Sequence, residues 1–221
     1  MKKTKKNPYK AHLFSFKCLI YDIARWSGWP FIFWFRLKKI YQSKEAKKYH
    51  KGGAIVICNH ILYSDIMIIQ LAFWYRRIHS LAMKELFSNK IKSFFFKSFF
   101  CIPIDRERFS METFKTIVQK LEGGNTISMF PEGHISWNND APMSAFKSGM
   151  ILMALQSGAK IIPCYRELRA HWWQREKIVI GDPIDVKALC GEKPSMQKIE
   201  EVTKLVFENE LKLKEIYHGG K

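Results

Sequence analysis

A histidine and an aspartate five positions apart, His60 and Asp65, are the side chains of this sequence best suited to move a proton. On one continuous helix, residues five apart point about 140° away from each other, so the pair can meet only across a turn. The apolar run at residues 54–58 predicts a strand that ends before His60, and a helical pattern begins after Ser64. Asp65 would then accept a hydrogen bond from one ring nitrogen, and the other nitrogen would take a proton.

A base of this kind needs a group to deprotonate, and the sequence offers no recognisable side-chain nucleophile. No Gly-x-Ser-x-Gly turn is present, and the five cysteines are widely spaced, with no CxxC pair. We therefore interpret the dyad as a base for the hydroxyl of an acceptor substrate, with the thioester of an acyl carrier as the electrophile. The alternative is a structural histidine at the end of a strand. The odd number of cysteines indicates buried free thiols in a reducing compartment.

A second motif, Phe130-Pro131-Glu132-Gly133, follows the strand pattern at residues 125–130. The carboxyl ends of parallel strands meet at one edge of a sheet, where ligands collect. We therefore expect Glu132 and Gly133 to lie at the same edge as His60 and to contact substrate.

The order of these motifs resembles that of the glycerolipid acyltransferase family, whose best-known members convert lysophosphatidic acid to phosphatidic acid. Two further motifs, Ile104-Asp105-Arg106 and Ile161-Ile162-Pro163, each end an apolar run, and the resemblance covers about residues 52–184. It implies that the histidine of the dyad is the general base and that the aspartate orients it. Inside the first motif this chain departs from many members, because Leu62 stands where they have serine.

The resemblance also locates the acceptor site, and here the departure is larger. In the family the second motif continues Thr-Arg, and that arginine is credited with gripping the acceptor phosphate; this chain has His134-Ile135. Because isoleucine cannot bind phosphate, other cations are needed. Arg106 falls where the family has an acceptor-contacting arginine, and a guanidinium suits bidentate phosphate contact. Lys84 and Lys147 are further candidates by motif position, and surface cations are the alternative for each.

The resemblance implies neither a metal nor a cofactor, since acyl-CoA or acyl-acyl carrier protein is a donor substrate. His134, together with Glu132 and His60, could suggest a metal site. No HExxH or CxxC accompanies them.

Strand-like and helical patterns alternate from residue 52 onward and predict an α/β fold, with a mostly parallel sheet flanked by helices. A charged amphipathic helix from Ser195 to about Tyr217 closes an acyltransferase domain at residues 52–221, and Ser110 is a predicted N-cap. The predicted strands are 54–58, 78–83, 101–104, 125–130, 160–164 and 177–181, and the predicted helices lie near 65–75, 85–99, 110–122 and 146–157.

The basic segment at residues 1–51 carries fourteen Lys or Arg against two acids, out of a net charge of +17. Its two helical patterns, separated at Gly28, turn basic at Arg36, Lys38 and Lys39, and fit a hairpin dipped into one leaflet of an anionic membrane. A pair of core helices is the alternative. No uncharged run reaches the roughly 18 residues of a spanning helix, and no secretory signal is evident. We expect the protein on the cytoplasmic face of the cell membrane.

The predicted function is therefore acyl transfer to the hydroxyl of a lysophospholipid, with the acceptor, the thioester donor and an anionic membrane surface as partners. The alternative acceptor is an amino-lipid or another hydroxylated lipid. Nucleic-acid binding fits the charge, but bulky apolar residues interleave with the basic ones and no nucleic-acid motif is present. A catalytically dead lipid-binding relative is disfavoured by the intact dyad.

Overall fold

The computed structural model describes residues 18–19, 21–23, 36–48, 50–105, 109–138, 143, 145–169, 171–191 and 193–219. Arg106 and most of the predicted N-terminal hairpin lie outside the described residues. Within them, no helix is long and apolar enough to cross a membrane.

One twisted sheet organises the described part of the chain, and its strands confirm the predicted α/β class. The strand order is β1-β7-β6-β2-β5-β3-β4. All neighbours are parallel except β6 and β7, which pair antiparallel. The strands are β1 Lys38–Tyr41, β2 Ala54–Cys58, β3 Ile78–Met83, β4 Ile102–Ile104, β5 Thr126–Met129, β6 Lys160–Tyr165 and β7 Lys177–Ile180. The six strands that the sequence predicts are within one residue of these bounds.

Helices connect the parallel strands, and side-chain caps fix where several begin. Ser110 accepts a hydrogen bond from Thr113 N at 3.1 Å, as an N-cap should, and Ser195 accepts one from Lys198 N at 3.2 Å. The predicted helix at 85–99 is instead a 3₁₀ turn at Lys84–Phe87 followed by an α-helix. The α-helices are α1 Asp65–Ala72, α2 Lys90–Ser98, α3 Met111–Glu122, α4 Gly149–Ser157, α5 Val186–Cys190 and α6 Met196–Tyr217.

Both faces of the sheet are covered, which explains why its central strand β2 is apolar along its whole length. In β2, Ile55 and Ile57 face a cluster with α3, α4 and α6, whereas Val56 and Cys58 face α1. All five residues of β2 are buried. The strand that ends just before His60 is therefore held from both sides, which gives the following turn a rigid starting point.

The first strand corrects one prediction: Lys38 and Lys39 do not continue a helix but lie in β1. This strand pairs with β7, from Lys38 opposite Lys177 to Tyr41 opposite Ile180. Its side chains follow the two-residue period of a strand, with Ile40 packed against one cluster and Tyr41 against another. Lysines are common on such edge strands because they discourage further pairing. Part of the predicted N-terminal segment thus belongs to the sheet.

Candidate active site

His60 and Asp65 meet at the carboxyl edge of the sheet, in the turn between β2 and α1. The ring nitrogen Nδ1 of His60 lies 2.8 Å from Oδ2 of Asp65. Asp65 is 0% exposed and His60 is 5% exposed. The contact predicted from their spacing is present, and the reason is the one given by the sequence: β2 ends at Cys58, and Asp65 opens α1. Because Nδ1 bonds to the carboxylate, Nε2 points away from it.

Four donors surround the Asp65 carboxylate. Its Oδ2 also accepts hydrogen bonds from Ile61 N at 2.7 Å and Leu62 N at 2.9 Å, and its Oδ1 accepts one from the Arg166 guanidinium. The position in the first turn of α1 adds the favourable end of the helix dipole. Each of these interactions stabilises the negative charge, so the carboxylate remains an acceptor for His60.

Arg166 belongs to the candidate site, and no motif in the sequence predicts it. Its side chain is 1% exposed and bridges Asp65 to Glu176, with Nη2 3.1 Å from Oε2 of Glu176. Arg169 binds the other oxygen of Glu176 at 3.3 Å. The charges therefore alternate from Asp65 to Arg169, which offsets the cost of burying each one. The feature of the sequence that could have indicated Arg166 is its position directly after the apolar strand β6, at the same edge as His60.

Asn59 joins the end of β2 to the end of β6 and so fixes where Arg166 lies relative to the dyad. Its amide nitrogen donates to the Arg166 carbonyl at 2.8 Å, and its carbonyl oxygen accepts from Arg166 N at 3.0 Å. This pair of hydrogen bonds extends the pairing of β2 with β6 by one step and holds the Arg166 backbone beside Asn59. The residue before His60 thus has a structural task of its own.

The second motif supports the histidine ring from the other side. Phe130 stacks on His60, with ring centroids 3.9 Å apart and planes at 11°. The His60 carbonyl accepts hydrogen bonds from Ser136 N at 2.8 Å and from Ser136 Oγ at 3.0 Å. The loop after β5 therefore fixes both the ring and the backbone of His60. Ring orientation is set by contacts from β2, α1 and β5 together.

Glu132 and Gly133 lie beside this support, as their motif predicts. Glu132 is buried, and Gly133 has a φ of 77°, in the left-handed region that favours glycine. A Cβ at position 133 would lie 3.4 Å from Nζ of Lys147. The structure thus brings the predicted Lys147 to the motif. Burial raises the pKa of the Glu210 carboxyl well above its usual range, and the nearby Glu132 raises it further.

Of the remaining predicted acceptor contacts, the structure describes Lys84, which follows β3. Lys84 forms an ion pair with Asp105 in which the lysine is 58% exposed. Arg106 follows Asp105 directly but lies outside the described residues. Ile135 is half-buried and precedes Ser136, the residue that binds the His60 carbonyl. Position 135 is therefore close to the dyad, and no cation stands there.

A cavity of about 1020 Å³ opens next to the dyad. Phe130, which stacks on His60, also lines this cavity, so the ring and the cavity share a wall. Most of the lining is apolar, and its charged members are Lys147, Lys204 and Glu200. The apolar walls come from β5, α4 and α6 and include Met129, Met150, Met153 and Phe207. The described residues include no group of three His, Cys, Asp or Glu side chains placed to hold a metal ion.

A mostly parallel sheet with a buried His–Asp dyad beside an apolar cavity defines an α/β enzyme suited to acyl transfer. A family model described as Acyltransferase matches residues 39–167, more than half of the sequence. The matched span runs from β1 to just past Arg166. The chain belongs to the acyltransferase family, and it is an O-acyltransferase.

Two relatives sharpen this assignment. The chain is 26% identical over 157 residues to a 1-acyl-sn-glycerol-3-phosphate acyltransferase of Bacillus subtilis, covering 69% of this chain and 76% of the relative. It also resembles the crystal structure of the 1-acyl-sn-glycerophosphate (LPA) acyltransferase PlsC from Thermotoga maritima, with a TM-score of 0.61. That match covers 90% of this chain and 79% of the other at 19% identity, which supports the fold alone.

Proposed function

We propose that the protein transfers a fatty acyl group from acyl-CoA or acyl-acyl carrier protein to the hydroxyl of 1-acylglycerol-3-phosphate, giving phosphatidic acid. The observation that carries the proposal is the buried dyad beside an apolar cavity at the carboxyl edge. The named activities of the two relatives support the choice of acceptor. No metal or cofactor has a part in the proposed reaction.

The chemistry follows from the dyad. Nε2 of His60 takes the proton of the acceptor hydroxyl while that oxygen attacks the thioester carbonyl carbon. The tetrahedral intermediate collapses, its carbon–sulfur bond breaks, and the leaving thiolate takes the proton from the imidazolium. The ester and the free thiol are released, and His60 is neutral again. Asp65 stabilises the imidazolium in between, and Arg166 and the backbone of residues 61 and 62 hold Asp65 in place.

The cavity supplies the site for the acyl chain. Its volume lies at the upper end of the usual range for ligand pockets, about 300–1,000 Å³, and its walls are mostly apolar. A chain bound there would end with its thioester near Phe130 and hence near the His60 ring. Glu132 and Gly133 would then line the approach to the reacting carbon.

Cations would hold the acceptor phosphate in place of the arginine that Ile135 replaces. Arg106 is the principal candidate, with Lys84 and Lys147 as supporting ones. Lys147 lies against Gly133, whereas Lys84 must exchange or share its bond to Asp105. A monoester phosphate carries close to two negative charges, which suits such a cluster.

Residues 11–35 would associate the enzyme with the leaflet that contains its acceptor, on the cytoplasmic face. A deletion that tests this must stop before β1, because Lys38–Tyr41 belongs to the sheet. It must also spare residues 18–23, because Tyr21 is buried and Asp22 binds Arg77. We expect protein without residues 24–35 to lose binding to anionic vesicles, and binding of the full chain to weaken as salt rises. Unchanged vesicle binding by the deleted protein would contradict an anchor in this segment.

The experiment for the proposed function is an assay of the purified protein with a panel of acceptors and both donor types. The panel contains lysophosphatidic acid, its uncharged and zwitterionic counterparts, and an amino-lipid. Phosphatidic acid formed at the highest kcat/KM supports the proposal. Selective acylation of an uncharged lipid or an amino-lipid would replace the acceptor class, and no transfer to any acceptor would overturn the function.

A further inference from the structure

Two adjacent tryptophans stand in the loop between β6 and β7 with their rings in solvent. Trp172 is 75% exposed and Trp173 is 56% exposed, although tryptophan is highly buried on average. Trp173 stacks on His171 with centroids 4.4 Å apart and planes at 3°, and the two indole rings meet edge to face at 5.9 Å. Three aromatic rings are therefore held in a fixed arrangement at the tip of one loop.

Arginines surround this aromatic tip and connect it to the N-terminal segment. Arg36 donates from Nη1 to the Trp173 carbonyl at 3.5 Å, and Arg175 donates from Nε to the Arg36 carbonyl at 3.2 Å. The two acids between β6 and β7, Glu167 and Glu176, are both buried, and Glu176 is bound to Arg166 and Arg169. What remains at the surface is indole and guanidinium, the combination favoured at the head-group level of an anionic bilayer.

The loop lies at the same edge of the sheet as His60. It begins where β6 ends, and β6 runs parallel to β2, whose end positions the dyad. Residues 31–35, the apolar run of the N-terminal segment, immediately precede Arg36 in sequence. The chain therefore enters the sheet beside the tryptophans.

Among the described loops and turns at the ends of the strands, exposed large apolar side chains are concentrated at this edge. The loops and turns that follow β2, β3, β4, β5 and β6 each have at least one: Tyr63, Leu86, Phe109, Trp137 and the tryptophan pair. At the opposite edge, the described connections at 42–48, 50–53, 123–125, 158–159 and 181–185 have none. Trp74, in the α1–β3 connection, is the exception there, at 49% exposed.

We infer that the β6–β7 loop, residues 171–175, is a second lipid contact, which inserts Trp172 and Trp173 into the head-group zone of an anionic bilayer and turns the edge that contains His60 toward the membrane. This inference rests on the proposed function, since it supposes an acceptor that resides in the bilayer. A lysophospholipid then passes from the leaflet to the dyad without exposing its acyl chain to water. The N-terminal segment attaches the protein, and the loop sets its orientation.

The test pairs two variants of the full chain: Trp172→Ala with Trp173→Ala, and Trp74→Ala as the matched control at the opposite edge. Both are measured for partition onto phosphatidylcholine vesicles with and without phosphatidylglycerol. In the bound protein the two indoles would be partly buried in the bilayer, so losing them should weaken vesicle binding roughly tenfold. Trp74→Ala should bind like wild type. Brominated lipids should quench wild-type and Trp74→Ala fluorescence more than that of the double variant. Thermal unfolding checks that both variants fold, and replacing both residues with Phe should restore most of the binding.

Equal vesicle binding and quenching by the double variant and wild type would overturn the inference. A loss of activity only when acyl-acyl carrier protein is the donor would also overturn it, because the loop would then contact that protein and not the bilayer. Activity separates this failure from failure of the proposed function. On a short-chain acceptor dissolved below its micelle concentration, the double variant should keep the wild-type rate, and on vesicle-embedded acceptor it should be slower. If neither protein transfers acyl groups in either assay but the binding difference remains, the loop contact stands and the proposed reaction fails.

Discussion

The two halves of the candidate site are built differently. In the proton-transfer half, His60 and Asp65 are buried and fixed by bonds from β2, α1, β5 and β6. In the acceptor half, Lys84 is largely exposed in a 3₁₀ turn and bound to Asp105, and Lys147 is exposed just before α4 and lies near Gly133. The proton-transfer half is therefore buried and bound at several points, whereas the acceptor half is exposed and less constrained, a division that lets one fold serve related substrates.

The largest effect should come from removing the base. His60→Ala should lower kcat by at least about a hundredfold, the usual size of lost general-base catalysis. Turnover is measured at saturating donor and acceptor, with circular dichroism to show that the fold is retained. His134→Ala is the matched control, since His134 is an exposed histidine next to the same motif, and it should keep most of the activity. Near wild-type turnover by His60→Ala would contradict general-base catalysis by His60.

Asp65→Asn should lower kcat by roughly tenfold to a hundredfold, the equivalent of one charge-assisted hydrogen bond of about 1.5–3 kcal/mol. The amide must point its NH₂ group either at the Arg166 guanidinium or at the N–H groups of Ile61 and Leu62. Either choice sets donors against donors and weakens the hold on His60. Acceptor and donor KM should change little. A full rate with the amide would show that the carboxylate does not orient the base.

Arg106→Ala should raise KM for lysophosphatidic acid by roughly tenfold to a hundredfold while the donor KM moves little, because a charge-assisted phosphate contact is worth about 1.5–3 kcal/mol. The control is Lys187→Ala, an exposed lysine on α5 far from the carboxyl edge. It should leave both constants unchanged. If both variants raise the acceptor KM equally, the effect is general surface charge and the phosphate contact is wrong.

Arg166→Lys should reduce kcat by up to about tenfold and lower the melting temperature, without changing acceptor KM. A lysine keeps the charge, but its single ammonium cannot bridge two carboxylates as a guanidinium does. Arg169→Lys is the control, because Arg169 pairs with Glu176 and not with Asp65 in the contacts described above. The prediction separates catalysis from stability: a loss of melting temperature with unchanged kcat would make Arg166 purely structural.

The smallest effect is expected from restoring a cation in the acceptor half. Ile135→Arg should lower KM for lysophosphatidic acid by a few-fold or leave it unchanged, since existing cations already occupy part of the phosphate shell. The donor KM should not move. Ile135→Lys tests whether the planar fork matters. A higher acceptor KM in both variants would indicate that position 135 contacts an apolar part of the lipid.

The sequence predicted the elements whose pattern is local. Apolar runs bounded by turns located six strands, and the strand-to-helix turn between Cys58 and Asp65 predicted the dyad contact. For Lys38 and Lys39 the sequence predicts a helix, because the four residues of β1 are too few to separate a period of two from one of 3.6. Its strand form depends on the edge of β7, which is distant in sequence.

The site residues that escaped prediction are likewise non-local. Arg166 meets Asp65 across 101 positions, and Ser136 meets His60 across 76. Neither belongs to a motif with fixed spacing, so only the strand order brings them together. The sequence predicts no role for Trp172 and Trp173, because their exposure and their position at the edge that contains His60 are properties of the folded chain.

The central claim is transfer to an acceptor hydroxyl by base catalysis, and one comparison tests it directly. Wild-type protein is given acyl-CoA with either lysophosphatidic acid or its analogue that lacks the free hydroxyl, and the release of thiol and the formation of diacyl product are followed together. Thiol and phosphatidic acid should appear in equal amounts with lysophosphatidic acid, and neither should form above background with the analogue. Thiol release at the same rate with both lipids would contradict acyl transfer to the hydroxyl and indicate hydrolysis instead.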